Sequence, residues 1–203
     1  NLASAGVKGG AVIVDGEDYG EGASIIQERT HAFAMKSTMC LLDPRPELPT
    51  MTRMVEEAFK LSEASNMPSV LELRIRACHV YGHFDAKDNV NPLYSRNNKI
   101  PAAEFDFSRV CLPPATYMQE KHKIEHRLPA AIKYITDNNL NERFDGDVPE
   151  IGIIVQGGIY NTLMRGLRQF GLADSYGKCR ISTLVMNVTY PMVPDEIADF
   201  CLG

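Results

Sequence analysis

Apolar residues in the first eighty positions follow two alternating spacings, and each change of spacing marks an element. Positions 11–14, after the Gly9-Gly10 pair, form an unbroken apolar run that reads as a buried strand. The run opens into an acidic, glycine-punctuated loop carrying Asp15, Gly16, Glu17, Asp18, Gly20 and Gly22. Beyond it Ile25, Ile26, Ala32, Phe33 and Met35 fit a short helix, and 39–42 a second buried strand stopped by Asp43-Pro44. Met51, Met54, Val55, Ala58, Phe59 and Leu61 then recur at helical spacing, with Thr50 placed to cap the helix and Asn66-Met67-Pro68 to end it. Positions 70–76 alternate apolar and polar as a strand does. Strand, helix, strand, helix, strand in this length predicts right-handed parallel crossovers and an α/β layered sheet.

Between 82 and 100 the periodicity dissolves into Asn, Asp and Lys, which predicts a linker or a long surface excursion. The segment 105–114 closes on Pro113-Pro114. After it, 115–128 and 129–138 read as two consecutive amphipathic helices, the second opened by Pro129 in its first turn. A second α/β unit follows Asp145-Gly146-Asp147. Its expected parts are a strand over 151–155, a turn at Gly157-Gly158, and a helix marked by Ile159, Leu163, Leu167 and Phe170 and stopped by Gly171. A strand over 180–188 and a helix over 194–201 complete it.

Composition narrows the class. The 203 residues are 44% hydrophobic, enough to build a real core in one large or two small domains. A net charge of -5, with 21 basic residues scattered among 26 acidic ones, argues against a nucleic-acid surface, which needs clustered Lys and Arg. No apolar run approaches the roughly 18 to 20 residues that span a bilayer, and the opening NLASAGVKGG lacks the basic-then-apolar order of a signal peptide. A cytoplasmic location is expected. Cys40, Cys78, Cys111, Cys179 and Cys201 are odd in number and far apart, with no C-x-x-C, so buried free thiols are expected and neither an iron-sulfur cluster nor a structural zinc is encoded. The chain starts at Asn, and both ends are expected to cut through the structure of a longer polypeptide.

Chemistry concentrates in three places. Ligands of open α/β sheets bind beyond the C-terminal ends of the strands. That rule sets the loop after the first strand, with Ser24, Gln27, Glu28, Arg29 and His31, on the same sheet edge as Arg76 and His79. The competing reading of His79 is a ring satisfied by backbone. His122, Glu125 and His126 match H-x-x-E-H, the spacing that places two imidazoles and a glutamate on one helical face in inverted zincins. Their flanks, Glu120, Lys121, Lys123 and Arg127, are equally those of a solvated helix. Gly157-Gly158 before a helix could hold an anion on free backbone N–H groups, though the G-x-G-x-x-G dinucleotide fingerprint is absent.

The strings VKGGAVIVDGEDYG, SIIQERTHAFA, LLDP and NMPSVLELRIRACH, in that order and with most spacings kept, resemble the indolepyruvate ferredoxin oxidoreductases, thiamine-diphosphate enzymes that oxidise 2-oxo acids. PPATYMQEKHKIEHRLPAA resembles the linker helices of their fused members. GIIVQGGIYNTLMRGLRQFGL with NVTYPMVPDEIADF resembles the start of their transketolase-C-like domain. The resemblance implies that 1–83 is the C-terminal part of a parallel-sheet, pyrimidine-binding domain, 84–147 a linker with two helices, and 148–203 the opening of a transketolase-C-like α/β domain. It implies catalytic roles for Arg29 and His31, either of which could pair with the substrate carboxylate or the developing enolate. Contacts to substrate or cofactor are implied for Asp18, Gly20, Ser24, Gln27, Glu28, Arg76 and His79. Asp15, Glu17 and Asp18 are as well placed to cap the loop as to meet a ligand.

The intact enzyme so implied decarboxylates an aryl 2-oxo acid on thiamine diphosphate and Mg2+, passes electrons through [4Fe-4S] clusters to ferredoxin, and releases an acyl group on coenzyme A. Its cofactor-activating glutamate would precede Asn1, and its G-D-G signature for diphosphate and magnesium would follow Gly203. The 203 residues alone are then expected to be inactive and to bind no thiamine diphosphate. Strands 11–14 and 39–42, left exposed, are expected to make the piece oligomeric or aggregation-prone. Expected partners are other domains or subunits of the same enzyme in a homo-oligomer, with no nucleic acid and no membrane. Two other classes compete: a non-catalytic α/β scaffold or assembly module, and a zinc hydrolase built on His122, Glu125 and His126.

Overall fold

The computed structural model describes residues 2–17, 29–102 and 104–203. In chain order the helices and strands are α1 (Leu2–Ala5), β1 (Val12–Glu17), α2 (Thr30–Ser37), β2 (Cys40–Leu42), α3 (Leu48–Ser65), β3 (Ser69–Arg74), α4 (Ile75–Cys78), α5 (Ala115–His122), α6 (Leu128–Asp137), β4 (Glu142–Phe144), β5 (Val148–Gln156), α7 (Tyr160–Gln169), β6 (Ile181–Met186), β7 (Val188–Tyr190) and α8 (Pro194–Leu202). Two mixed sheets result. The first has the order β1-β3-β2-β7, its first three strands parallel and β7 antiparallel to β2; the second has the order β4-β6-β5, with β5 parallel and β4 antiparallel to β6. The α/β class and the parallel crossovers are as the periodicity predicts, and each sheet gains one antiparallel strand that it does not predict.

Helix α3 shows how closely the pattern can set an element. Pro49 sits in its first turn, where a missing N–H costs nothing, and Asn66 ends it in the left-handed region at φ 53, returning its N–H to Ser62 and Glu63. Thr50 lies inside the first turn, and its hydroxyl donates to the carboxylate of Glu47, the residue at the N-cap position. Met54, Ala58 and Leu61 bury one face against the sheet, where Leu42, Leu71 and the α6 residue Ile135 complete the core. Val55 and Phe59, on the same apolar stripe, face outward.

Three expectations change. Strand 39–42 is not exposed: β2 lies between β3 and β7, and Cys40, Leu41 and Leu42 are wholly buried. Strand 11–14 is not buried: β1 runs on to Glu17 as an edge strand and leaves Val14 64% exposed. Strand β3 ends at Arg74, and the chain then turns into α4, so Arg76 lies on that short helix and His79 at its C-cap instead of at the strand end. The helix expected from Ile25 is described from Thr30, where Ala34 enters the core while Phe33 and Met35 face outward; its earlier positions lie outside the described residues.

Residues 79–102 carry no helix or strand and are almost all exposed, in keeping with the expected excursion. Helices α5 and α6 are continuous through a π-helical turn, Lys123–Arg127, and Pro129 sits in the first turn of α6 as expected. The strand expected over 180–188 divides at Asn187 into β6, which joins the second sheet, and β7, which joins the first. Asn187 makes the division possible. Fully buried, it accepts from the Arg45 N–H at 2.8 Å and donates to the Leu140 carbonyl and the Glu142 carboxylate, while its own carbonyl accepts from the Asp43 N–H.

Candidate functional site

Parallel pairing brings the C-terminal ends of β1, β2 and β3 to one edge, and each delivers a charged residue there. Glu17 pairs in register with Arg74 and Asp15 with Glu72, while Leu42 pairs with Leu71, so Asp43 emerges beside Glu72. Glu17, Asp43, Glu72 and Arg74 are all buried. Four ionisable groups inside a sheet edge are costly unless they satisfy one another or a ligand.

Glu17 satisfies the start of α2. Its carboxylate accepts from the N–H groups of Arg29 (3.2 Å) and Thr30 (2.8 Å) and from the Thr30 hydroxyl (2.6 Å), orphan donors that helix geometry leaves unpaired, at the end where the helix dipole favours negative charge. This capping holds Arg29, in the left-handed region at φ 57, and His31 at the mouth of the edge. Asp43 is gripped by Arg74, whose Nη2 donates to Oδ2 at 2.7 Å and whose Nε lies 3.2 Å from both oxygens. The Gly158 N–H also donates to Asp43. The anion that the Gly157-Gly158 turn could hold is thus the protein's own carboxylate. A Cβ at Gly158 would stand 2.1 Å from Asp43 Oδ1 and 2.5 Å from Arg74 Nε, so glycine is required by the close approach.

Gln156, the last residue of β5, closes the site from the second sheet. Its Oε1 accepts from Arg74 Nη2 at 3.0 Å, and its Nε2 lies 3.2 Å from His31 Nε2. Arg29, His31, Ala32, Arg74 and Gln156 line a cavity of about 420 Å³. Burial lowers the affinity of His31 for a proton and pushes the Asp43 carboxyl up despite its hydrogen bonds from Arg74. Burial, with the charge of Asp43 added, pushes Glu72 up to about 8.

Of the residues singled out in the sequence, Arg29 and His31 meet in this cavity. Arg76 and His79 are exposed on and beside α4 and do not line it. Asp18, Gly20, Ser24, Gln27 and Glu28 lie outside the described residues. Sequence reasoning missed Asp43, Glu72, Arg74 and Gln156. A signal for two of them was present: Glu72 and Arg74 are charges two apart in an otherwise apolar strand, hence on one face of the sheet.

The H-x-x-E-H residues sit on the end of α5 and its π turn. Arg127 Nε donates to His122 Nδ1 at 3.1 Å, which leaves the ring proton of neutral His122 on Nε2 as a donor. Among the described residues the group of three or more ligand atoms within 4.8 Å of one another is His31, Asp43 and Glu72, away from that motif.

No family model matches the chain. Over its full length it is similar to the "Indolepyruvate oxidoreductase subunit IorA" of Methanothermobacter marburgensis, 24% identical over 205 residues, and to the protein of the same name from Methanothermobacter thermautotrophicus, 23% identical over 207 residues. In each case the match takes in all of this chain and 31% of the relative, so the chain spans about a third of the length of those proteins.

Proposed function

We propose that this chain is part of a thiamine-diphosphate-dependent 2-oxoacid:ferredoxin oxidoreductase of the indolepyruvate type, and that the cavity at the sheet edge receives the carboxylate end of the 2-oxo acid. The observation that carries the reading is the meeting of Arg29, His31 and Arg74 around one cavity beyond the C-terminal ends of parallel strands. Similarity to the two relatives along the whole chain supports the class. We assign 1–83 to the C-terminal part of a pyrimidine-binding domain, 84–147 to a linker, and 148–203 to the start of a transketolase-C-like domain.

The donor set suits a substrate carboxylate better than the cofactor. Two guanidinium groups and an amide offer N–H donors to an anion, whereas Asp43, already gripped by Arg74, would oppose the multiple charge of a diphosphate. These residues are not placed to act on the cofactor. Thiamine diphosphate supplies the carbanion chemistry of decarboxylation where it is bound, with Mg2+, by other parts of the enzyme. [4Fe-4S] clusters, coenzyme A and ferredoxin are likewise assigned to other domains or subunits. Within this chain Arg29 binds the carboxylate as an exposed cation at the cavity mouth, and Arg74, held by Asp43 and Gln156, fixes the floor.

Changing Arg29 to Ala in the intact protein tests the reading. It should lower kcat/KM for an aryl 2-oxo acid on the order of 10²-fold with the unfolding midpoint unmoved, since the side chain is exposed. Unchanged turnover would remove Arg29 from the reaction and favour a scaffold.

A further inference from the structure

Glu72 is the group in the site that nothing so far explains. Its side chain is 0% exposed, and neither carboxyl oxygen has a hydrogen-bond partner. The cations near it are distant or engaged: Arg74 Nε is 3.5 Å from Oε1 but is turned toward Asp43, and His31 Nδ1 is 3.5 Å from Oε2. Negative groups surround it. Asp15 and Glu17 come from β1, and Asp43 from the end of β2. Positions 18–28 of the sequence contain no Lys, Arg or His. Glu17 is held by the N–H groups at the start of α2 and Asp43 by Arg74, so among the described residues of the edge Glu72 is the buried carboxyl whose charge is left to a proton or to a bound cation.

The hydrogen bonds around His31 decide between the two. Arg74 has only donors, so the Gln156 atom that meets it is Oε1, and the amide orientation is fixed. The Gln156 atom that meets His31 Nε2 is therefore an N–H donor, and Nε2 must be the acceptor. Neutral His31 then carries its proton on Nδ1, the ring nitrogen that lies 3.5 Å from Glu72 Oε2. A metal ion shared by His31, Asp43 and Glu72 would need Nδ1 bare and the proton on Nε2, where it would face the N–H of Gln156. Imidazolium at His31 meets the same opposition.

We propose that Glu72 is a carboxylic acid kept protonated inside the sheet edge, and that Gln156 is a positioning residue, reaching from the second sheet, that holds His31 neutral with Nδ1–H toward it. One proton on Glu72 removes the one buried carboxyl charge that no hydrogen bond meets, without a metal. It also assigns the cavity its charges: Arg29 and Arg74 are the cations that meet a carboxylate, and His31 is a neutral, oriented ring. The last assignment rests on the proposed function; the protonation state and the tautomer do not.

Infrared difference spectra of the intact protein against its Glu72→Gln variant test the proposal, because the C=O stretch of a protonated carboxyl is resolved from carboxylate bands and needs no turnover to be seen. The expected result is a protonated-carboxyl band at pH 7 that is absent in Glu72→Gln and titrates away near pH 8. In Gln156→Leu, His31 is free to become a cation, so the band should disappear at a pH at least one unit lower. Absence of the band at neutral pH, or a stoichiometric divalent metal lost on substituting Glu72, overturns the assignment of Glu72. A midpoint unmoved in Gln156→Leu overturns the role of Gln156. Since no turnover is read, these outcomes stand whether or not the 2-oxoacid reading survives the Arg29 test.

Discussion

Asp43 and Arg74 form a buried pair in which each charge is tolerable only because of the other, with 1% and 6% of their side chains exposed. Replacing Arg74 by Leu strands Asp43, so the expected loss is about 3–5 kcal/mol in urea denaturation, with much less further loss when Asp43 is changed to Asn in the same chain. Glu72 gives a prediction of definite sign. Its carboxyl is raised in the folded protein, so between the ordinary glutamate range and about pH 8 the folded state holds a proton that the unfolded state has released. Its contribution is therefore fully present at acid pH and falls as pH rises through that window, by up to about 1.4 kcal/mol per pH unit, and Glu72→Gln should flatten the dependence of the urea midpoint on pH. Arg29 and His31 were legible because they are polar residues near a glycine-rich loop after a strand. Gln156 was not, since its partners His31 and Arg74 are 125 and 82 positions away in sequence.

Helices were read more reliably than strand ends. The period of α3, its left-handed end at Asn66 and the Pro129 start of α6 are local features, and local features are written in consecutive residues. The limits of β3 and the division of β6 from β7 are set by partners instead. Nothing in ISTLVMNVTY announces that its halves belong to different sheets except one asparagine among apolar and β-branched residues. Asn187 is buried with its amide nitrogen and oxygen both hydrogen-bonded to other elements, so Asn187→Leu should leave the Arg45 N–H and the Leu140 carbonyl without partners and cost about 2–4 kcal/mol. Thermal unfolding of the variant beside the parent protein measures that loss, and Asn187→Asp should lose stability as well, because it sets a carboxylate against the Glu142 carboxylate and the Leu140 carbonyl.

At the scale of the molecule, β1 has one neighbouring strand among the described residues, at the edge of its sheet, and turns Ile13 and Val14 outward. Such an edge pairs readily with further strands. Sizing chromatography of the 203-residue chain should show self-association that Val14→Lys reduces without shifting its unfolding midpoint. Fold class was legible at this scale because alternating strands and helices admit few layered arrangements. The joining of the two sheets was not, because it depends on the run from β6 through Asn187 to β7 and on side chains such as Gln156 that cross from one sheet to the other. That run works as a tie beam. Neither sheet can melt without pulling on the other's hydrogen bonds, so amides of β3 and β6 should exchange with solvent at one common rate under mild denaturant, as parts of one cooperative unit spanning both layers.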